Sequence, residues 1–203
     1  GSMTDTEVKI NGQLAGDIHQ GAFYQFKYDV TDKITFDKAN ILEATVSKMS
    51  SDKSVNNAER LADYWILGGI YRPVYLEATP QEHISWTAID AKADGTFRSN
   101  VHLEGLSKAN DLLVEIKDLK GNVIAAQKFP ITSQDSVKLL EMKVKKPLLW
   151  TAETPNLYQV TYTLVNGKNK GYQYQDRFGF RTIEVRQGDG IYVNGVKVKM
   201  KGV

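Results

Sequence analysis

A two-residue alternation of apolar and polar side chains recurs along most of this chain and limits what it can fold into. Tyr24-Gln25-Phe26-Lys27-Tyr28, Ile41 to Val46, Ile84 to Ala91, Leu112 to Ile116 and Tyr158 to Leu164 all alternate apolar with polar or Thr residues, as half-buried strands do. Asn11-Gly12, Asp94-Gly95, Lys120-Gly121-Asn122, Asn166-Gly167 and Asn194-Gly195 punctuate these runs, and Gly or Asn supplies the positive φ of tight turns. The pattern predicts an all-β chain. Only Ala58 to Leu67 has a passable helical pattern, sufficient for a single turn. The most polar stretch, Ser47 to Arg60, is expected to be a solvated loop.

A boundary is expected near Thr79-Pro80-Gln81-Glu82, because Pro80 cannot donate to a sheet ladder and biases Thr79 to an extended conformation. From His83 to about Val185, seven strand-like runs recur with turn residues between them, the layout of an immunoglobulin-like sandwich. Trp86 and Trp150 are expected as core or inter-domain anchors. Gly188 to Val203 reads as a hairpin without a closing element, so further chain is expected after it. Gly1-Ser2-Met3 reads as an expression scar.

Composition excludes several function classes. With 26 Lys+Arg against 24 Asp+Glu, the chain lacks the charge excess of a nucleic-acid or membrane-surface binder. No Cys is present, which removes disulfides, thiolate nucleophiles and Cys-type zinc sites. No apolar run reaches the length of a membrane helix. His19, His83 and His102 have no metal-ligand spacing. Gly68-Gly69 lacks the residues of a phosphate-cradling loop, and no Ser lies in a nucleophile elbow. Lys197, Lys199 and Lys201 alternate with apolar residues and read as the solvated face of one strand. Many carboxylates are present, but none lies in a context that marks an acid and a nucleophile. No cofactor or metal is expected. The residues alone describe a two-part β protein without an assignable role.

Three ordered blocks carry a family resemblance. Asn11-Gly12 is followed by Phe26-Lys27-Tyr28-Asp29-Val30-Thr31 and Asn40-Ile41-Leu42. Next comes Asp63-Tyr64-Trp65-Ile66-Leu67-Gly68-Gly69-Ile70-Tyr71-Arg72-Pro73-Val74-Tyr75-Leu76. The last is Pro147-Leu148-Leu149-Trp150-Thr151-Ala152-Glu153-Thr154-Pro155-Asn156-Leu157-Tyr158, with Phe178-Gly179-Phe180-Arg181-Thr182-Ile183-Glu184 and Asn194-Gly195. Together they resemble glycoside hydrolase family 2, the β-galactosidase, β-glucuronidase and β-mannosidase superfamily.

The resemblance implies a partial jelly-roll sandwich followed by an immunoglobulin-like β-sandwich. Residues 1–79 look like the carboxyl-terminal half of a sugar-binding jelly roll, 80–185 like the immunoglobulin-like domain, and 186–203 like the lead-in to a catalytic (β/α)8 barrel. Family members carry both catalytic glutamates on that barrel, so no catalytic residue is expected within this chain. The implied role is a non-catalytic segment of a retaining β-glycosidase of β-galactosidase type, inactive alone, whose parent hydrolyses terminal β-linked sugars. Asp63 corresponds to an acidic residue that binds sugar hydroxyls, and an ionised carboxylate strengthens such bonds by its charge. The other reading of Asp63 is a loop Asp capping a local turn. Trp65 is a candidate sugar platform, or else a core or interface anchor. Arg72 and Arg181 are expected as buried-edge or interface cations that fix domain docking.

The expected partners are a carbohydrate substrate, reached through the full-length enzyme, and the chain's own barrel. The early jelly-roll strands are missing from this pattern, which leaves sheet edges for self-association. The competing reading is a stand-alone carbohydrate-binding or adhesive β-sandwich module, since fold alone does not select between them. The resemblance suggests a periplasmic or secreted location.

Overall fold

Tight turns at Asn-Gly and Gly positions set the architecture of the computed structural model, which describes residues 1–61 and 65–201. Asn11 and Gly12 take φ of 51° and 80°, Asn194 and Gly195 take 53° and 79°, and Gly95, Gly121 and Gly167 are also left-handed. Each such turn joins antiparallel strands, so the chain is all-β with one short helix. It divides into two units, Gly1–Glu77 and the chain from Ala78 onward.

The first unit contains β1 (Ser2–Met3), β2 (Asp5–Ile10), β3 (Gln13–Leu14), β4 (Leu42–Ser47), α1 (Lys53–Glu59) and β5 (Gly69–Ile70). Its main sheet has the order β3-β2-β4, with Asp5 opposite Ser47 and Ile10 opposite Leu42. The supposed scar is part of the fold, since Ser2 and Met3 pair with Ile70 and Gly69. Residues 24–28 belong to no strand. Their alternation finds no ladder partner among the described residues, and Phe26 instead stacks on His19 at 3.9 Å. The polar stretch from Ser47 also departs from the expected loop. The Asp52 carboxylate accepts the Ser54 and Val55 N–H groups and starts α1, supplying the partners that an open helix end lacks. The helix therefore starts before the 58–67 window that the pattern favoured.

The second unit contains β6 (His83–Ala91), β7 (Thr96–Glu104), β8 (Asp111–Lys117), β9 (Val123–Pro130), β10 (Val137–Lys143), β11 (Tyr158–Asn166) and β12 (Asn169–Phe178). Two sheets, β10-β7-β6 and β12-β11-β8-β9, enclose Phe97, Val101, Leu112, Val114, Ile116, Val160, Tyr162 and Phe180, none of them measurably exposed. The buried Tyr162 phenol, pushed up by desolvation, hydrogen-bonds the Ser99 hydroxyl at 2.8 Å, which satisfies the one polar atom on that ring. Beyond the sandwich, β13 (Ile183–Arg186), β14 (Gly190–Val193) and β15 (Val196–Val198) form an antiparallel meander. Asn194 ties the meander back by donating to the Trp150 carbonyl at 3.0 Å and accepting the Thr182 N–H at 2.9 Å.

Neither tryptophan expected as an anchor is buried. Trp150 is half-buried under the Arg181 guanidinium, 4.5 Å from its ring centroid. Trp86 is 49% exposed, because the pairing of β6 with β7 slips by one residue at Ser85, a β-bulge that turns Trp86 outward.

Candidate functional site

The loop that carries the sequence-level site begins where α1 ends. Arg60 closes the helix by donating its N–H to the Asn56 carbonyl at 2.8 Å, and its side chain is buried to 1% exposure. Nη2 donates to the Leu67 carbonyl at 2.6 Å and Nη1 lies 3.5 Å from Met3 Sδ, while Nε has no partner among the described residues. Arg60 thus clasps the two ends of segment 60–67 together. The clasp continues into β5, and Tyr71 then donates its hydroxyl to the Ala22 carbonyl at 2.6 Å while Glu59 accepts the Ala22 N–H at 2.7 Å. Ala22 is fully buried between them.

Asp63 lies outside the described residues. Trp65, at 89% exposure, contributes its ring to no core. Arg60 was missed by the sequence reading, because nothing in a polar run distinguishes an arginine that turns inward from one that is solvated.

Arg72 and Arg181 are both exposed, which corrects the buried-edge alternative of that expectation. Arg72 lies over the Tyr71 ring at 5.3 Å and Arg181 over Trp150, so each is held by cation–π attraction and leaves its fork of donors in solvent. Gly179 permits the Trp150 approach, since a Cβ there would lie 2.7 Å from that of Trp150.

Among the described residues, the carboxylates whose proton affinity is displaced all move downward. Burial pushes Asp5 up, but hydrogen bonds from Ser50, Ser51 and Gln20 outweigh it. Burial likewise opposes, and the N–H groups of Ala109, Ser107 and Lys108 prevail, at Glu82. The Thr96 N–H and then Lys143 hold Asp94 down to about 2. These are structural acceptors, whereas a glycosidase acid needs its proton affinity raised. A depression of about 390 Å³ is lined in part by Asp90, Lys92, Asp176, Arg177 and Arg181, so charges of both signs face solvent there. Among the described residues, no three His, Asp or Glu side chains converge as a metal site.

Comparison with known proteins gives these sandwiches a context. Residues 81–181, which include all seven strands of the second unit's sandwich, match the family described as Glycosyl hydrolases family 2. The chain belongs to glycosyl hydrolase family 2. Within family 2, a β-galactosidase of Thermoanaerobacter pseudethanolicus is 27% identical over 208 residues, covering all of this chain and 28% of that protein. The β-galactosidase large subunit of Leuconostoc lactis is 29% identical, over 97% of this chain and 31% of its own length. The crystal structure of Bacteroides uniformis β-glucuronidase superposes with a TM-score of 0.82 at 25% identity, covering all of this chain and 26% of that one. The chain thus spans about a quarter of the length of the relatives it matches first. Similarity to family 2 enzymes extends over both units, which disfavours the stand-alone module.

Proposed function

We propose that this chain supplies two non-catalytic sandwiches of a retaining β-glycosidase of β-galactosidase type, whose parent hydrolyses terminal β-linked sugars through carboxylates outside residues 1–203. The carrying observation is the similarity of the whole chain to a quarter-length part of β-galactosidases and β-glucuronidases. The downward-shifted carboxylates agree with it, because each is already committed to local donors. In this reading residues 1–79 are the later half of a sugar-binding jelly roll, 80–185 an immunoglobulin-like spacer, and 186–203 the approach to a (β/α)8 barrel. Asp63 and Trp65, which lie between Arg60 and Leu67 in the sequence, contact the sugar at the barrel mouth. In isolation, the open edges of the β3-β2-β4 sheet pair with a second copy, since an unpaired strand edge is a template for association.

The test compares the isolated chain with the longer protein that contains it. The chain alone releases no nitrophenol from nitrophenyl β-galactoside or β-glucuronide, whereas the longer protein releases it from at least one. Asp63→Ala in the longer protein lowers kcat/KM by about tenfold to a hundredfold, the loss of one charge-assisted hydrogen bond. Turnover by the isolated chain that survives Asp63→Ala overturns the assignment.

A further inference from the structure

Asn11-Gly12, Asn166-Gly167 and Asn194-Gly195 each close a hairpin, between β2 and β3, β11 and β12, and β14 and β15. The pair that suits a tight turn also carries a chemical liability. Glycine has no Cβ to keep the side chain of the preceding Asn away from its backbone nitrogen, and that nitrogen is a nucleophile aimed at the amide carbon. Sterics do not separate the three sites, since nothing lies within 4 Å of the place a Cβ would take at Gly12, Gly167 or Gly195.

Hydrogen bonds do separate them. The Asn11 amide donates to the Lys33 carbonyl at 2.9 Å and to Asn40 Oδ1 at 2.7 Å, and its oxygen accepts the Ile41 N–H at 2.9 Å. The Asn194 amide is held at both ends, by the Trp150 carbonyl and the Thr182 N–H. Asn166 is exposed, and its amide has no hydrogen-bond partner among the described residues. The backbone differs in the same sense. Asn11 and Asn194 are themselves left-handed, whereas Asn166 is the last residue of β11 and the left-handed residue that follows it is Gly167, with φ of 61°. One contact restrains this third site, and it acts on the nucleophile. The Gly167 N–H donates to Asn110 Oδ1 at 3.2 Å, the long end of the hydrogen-bond range.

We propose that Asn166 is a site of spontaneous deamidation and that Asn110 sets its rate. The Gly167 nitrogen attacks Asn166 Cγ, a nitrogen–carbon bond forms, and the Cγ–Nδ2 bond breaks. The proton lost by Gly167 is balanced by the one taken up as Nδ2 leaves as ammonia. Water then opens the five-membered imide at either carbonyl and leaves aspartate or isoaspartate, so the net change is water in and ammonia out. At Asn166 the product is tolerated. The new carboxylate is exposed near Lys168 and Lys170, and the formal charge of +2 falls by one unit. At Asn194 the same step would cut the tie between the meander and Trp150, and the two bonds that make the tie also keep the amide from its neighbour. Each neutral bond that must open slows the step by about fivefold, so Asn166, with one to open, leads Asn194, with two, and Asn11, with three. None of this depends on the activity assigned to the parent, because the chemistry lies wholly within the chain.

The experiment incubates the full 203-residue chain at mildly alkaline pH and follows the three Asn-Gly peptides by mass spectrometry, with isoaspartate separated from aspartate by chromatography. In the folded chain Asn166 converts first, about fivefold faster than Asn194 and further ahead of Asn11. In concentrated urea the three rates converge, because the bonds that rank them are gone. Asn110→Ala speeds conversion at Asn166 by about fivefold and leaves the other two rates unchanged, while amide exchange in β11 shows that the hairpin is intact. Asn166→Gln, whose longer side chain would have to close a larger ring, abolishes the modified peptide. Conversion of Asn11 or Asn194 as fast as Asn166 in the folded chain overturns the proposal. So does a ranking that persists in urea, which would make it a property of local sequence, or an Asn166 rate that Asn110→Ala leaves unchanged with β11 intact.

Discussion

The two units use opposite means of cohesion. From Ala78 onward, two sheets close on a continuous apolar core running from Ile84 to Phe180. Among the described residues of the first unit, the buried apolar ones are Ile10, Ala15 and Ala22, while Ser2, Thr4, Asp5, Thr6, Ser50 and Arg60 are buried polar or charged groups. Many of its large apolar side chains are outside, among them Phe36 at 74%, Leu76 at 71% and Tyr24 at 65% exposure. Hydrophobic burial is non-directional and tolerates much repacking, whereas a polar interior holds only while each group keeps its partner. The second unit is therefore a self-sufficient body. In the proposed reading, the first presents apolar side chains that the rest of the parent covers.

The largest expected effect tests that asymmetry. Phe97→Ala removes a fully buried ring packed 4.8 Å from Phe178 and is expected to cost about 3–5 kcal/mol. Phe36→Ala in the first unit is expected to stay within about 0.5 kcal/mol. Denaturant unfolding followed separately for each unit measures both, and equal losses would break the comparison. Gly95→Ala adds to the same side, because its Cβ would meet the Val144 carbonyl oxygen at 2.0 Å in a backbone with φ of 87°. A loss of more than about 1 kcal/mol is expected there.

The next effect belongs to the first unit alone. Arg60→Ala leaves the Leu67 carbonyl without its charged donor and is expected to cost about 1.5–3 kcal/mol. Amide exchange speeds up through Leu67 to Ile70 and does not change in β8 or β11. Acceleration in both units would show that they unfold together and would remove the distinction.

Legibility follows the same divide. The alternation at Leu112 to Ile116 and Tyr158 to Leu164 maps onto β8 and β11 because those strands face a closed core, which makes register expensive to violate. The Asn-Gly turns held for a local reason, since few residues accept positive φ. The same alternation at Tyr24 to Tyr28 gives no strand, because a ladder needs a partner that local sequence does not specify. Trp86 faces outward, against the core alternative, because a one-residue bulge at Ser85 leaves no composition cue. At the candidate site, the family blocks marked the loop, but Arg60, which clasps its base, is a tertiary choice that a polar run cannot reveal.

The smallest expected effect sharpens the comparison through pH. Glu82 Oε1 accepts three N–H groups, from Ser107, Lys108 and Ala109, at 2.8–2.9 Å. Asp5 Oδ2 accepts the Ser51 N–H and hydroxyl, while Oδ1 is buried without a partner. Despite burial, hydrogen bonds hold both carboxyls below their ordinary range. A folded-state value below the unfolded one means that each contributes stability above the ordinary carboxylate range of about 4, and that this contribution is lost as pH falls through the folded value. Glu82→Gln should therefore flatten the acid limb of the second unit alone, and Asp5→Asn that of the first alone, as read from unfolding midpoints between neutral pH and about pH 2. Asp5→Asn should also be the milder change at neutral pH. The buried Oδ1 already has no donor to lose, and one of the two amide positions can meet it as a neutral group, which reduces the desolvation cost of the charged form. If Asp5→Asn proves as costly at neutral pH as Glu82→Gln, the orphaned oxygen is satisfied in solution, and the polar interior of the first unit is better paired than its geometry indicates.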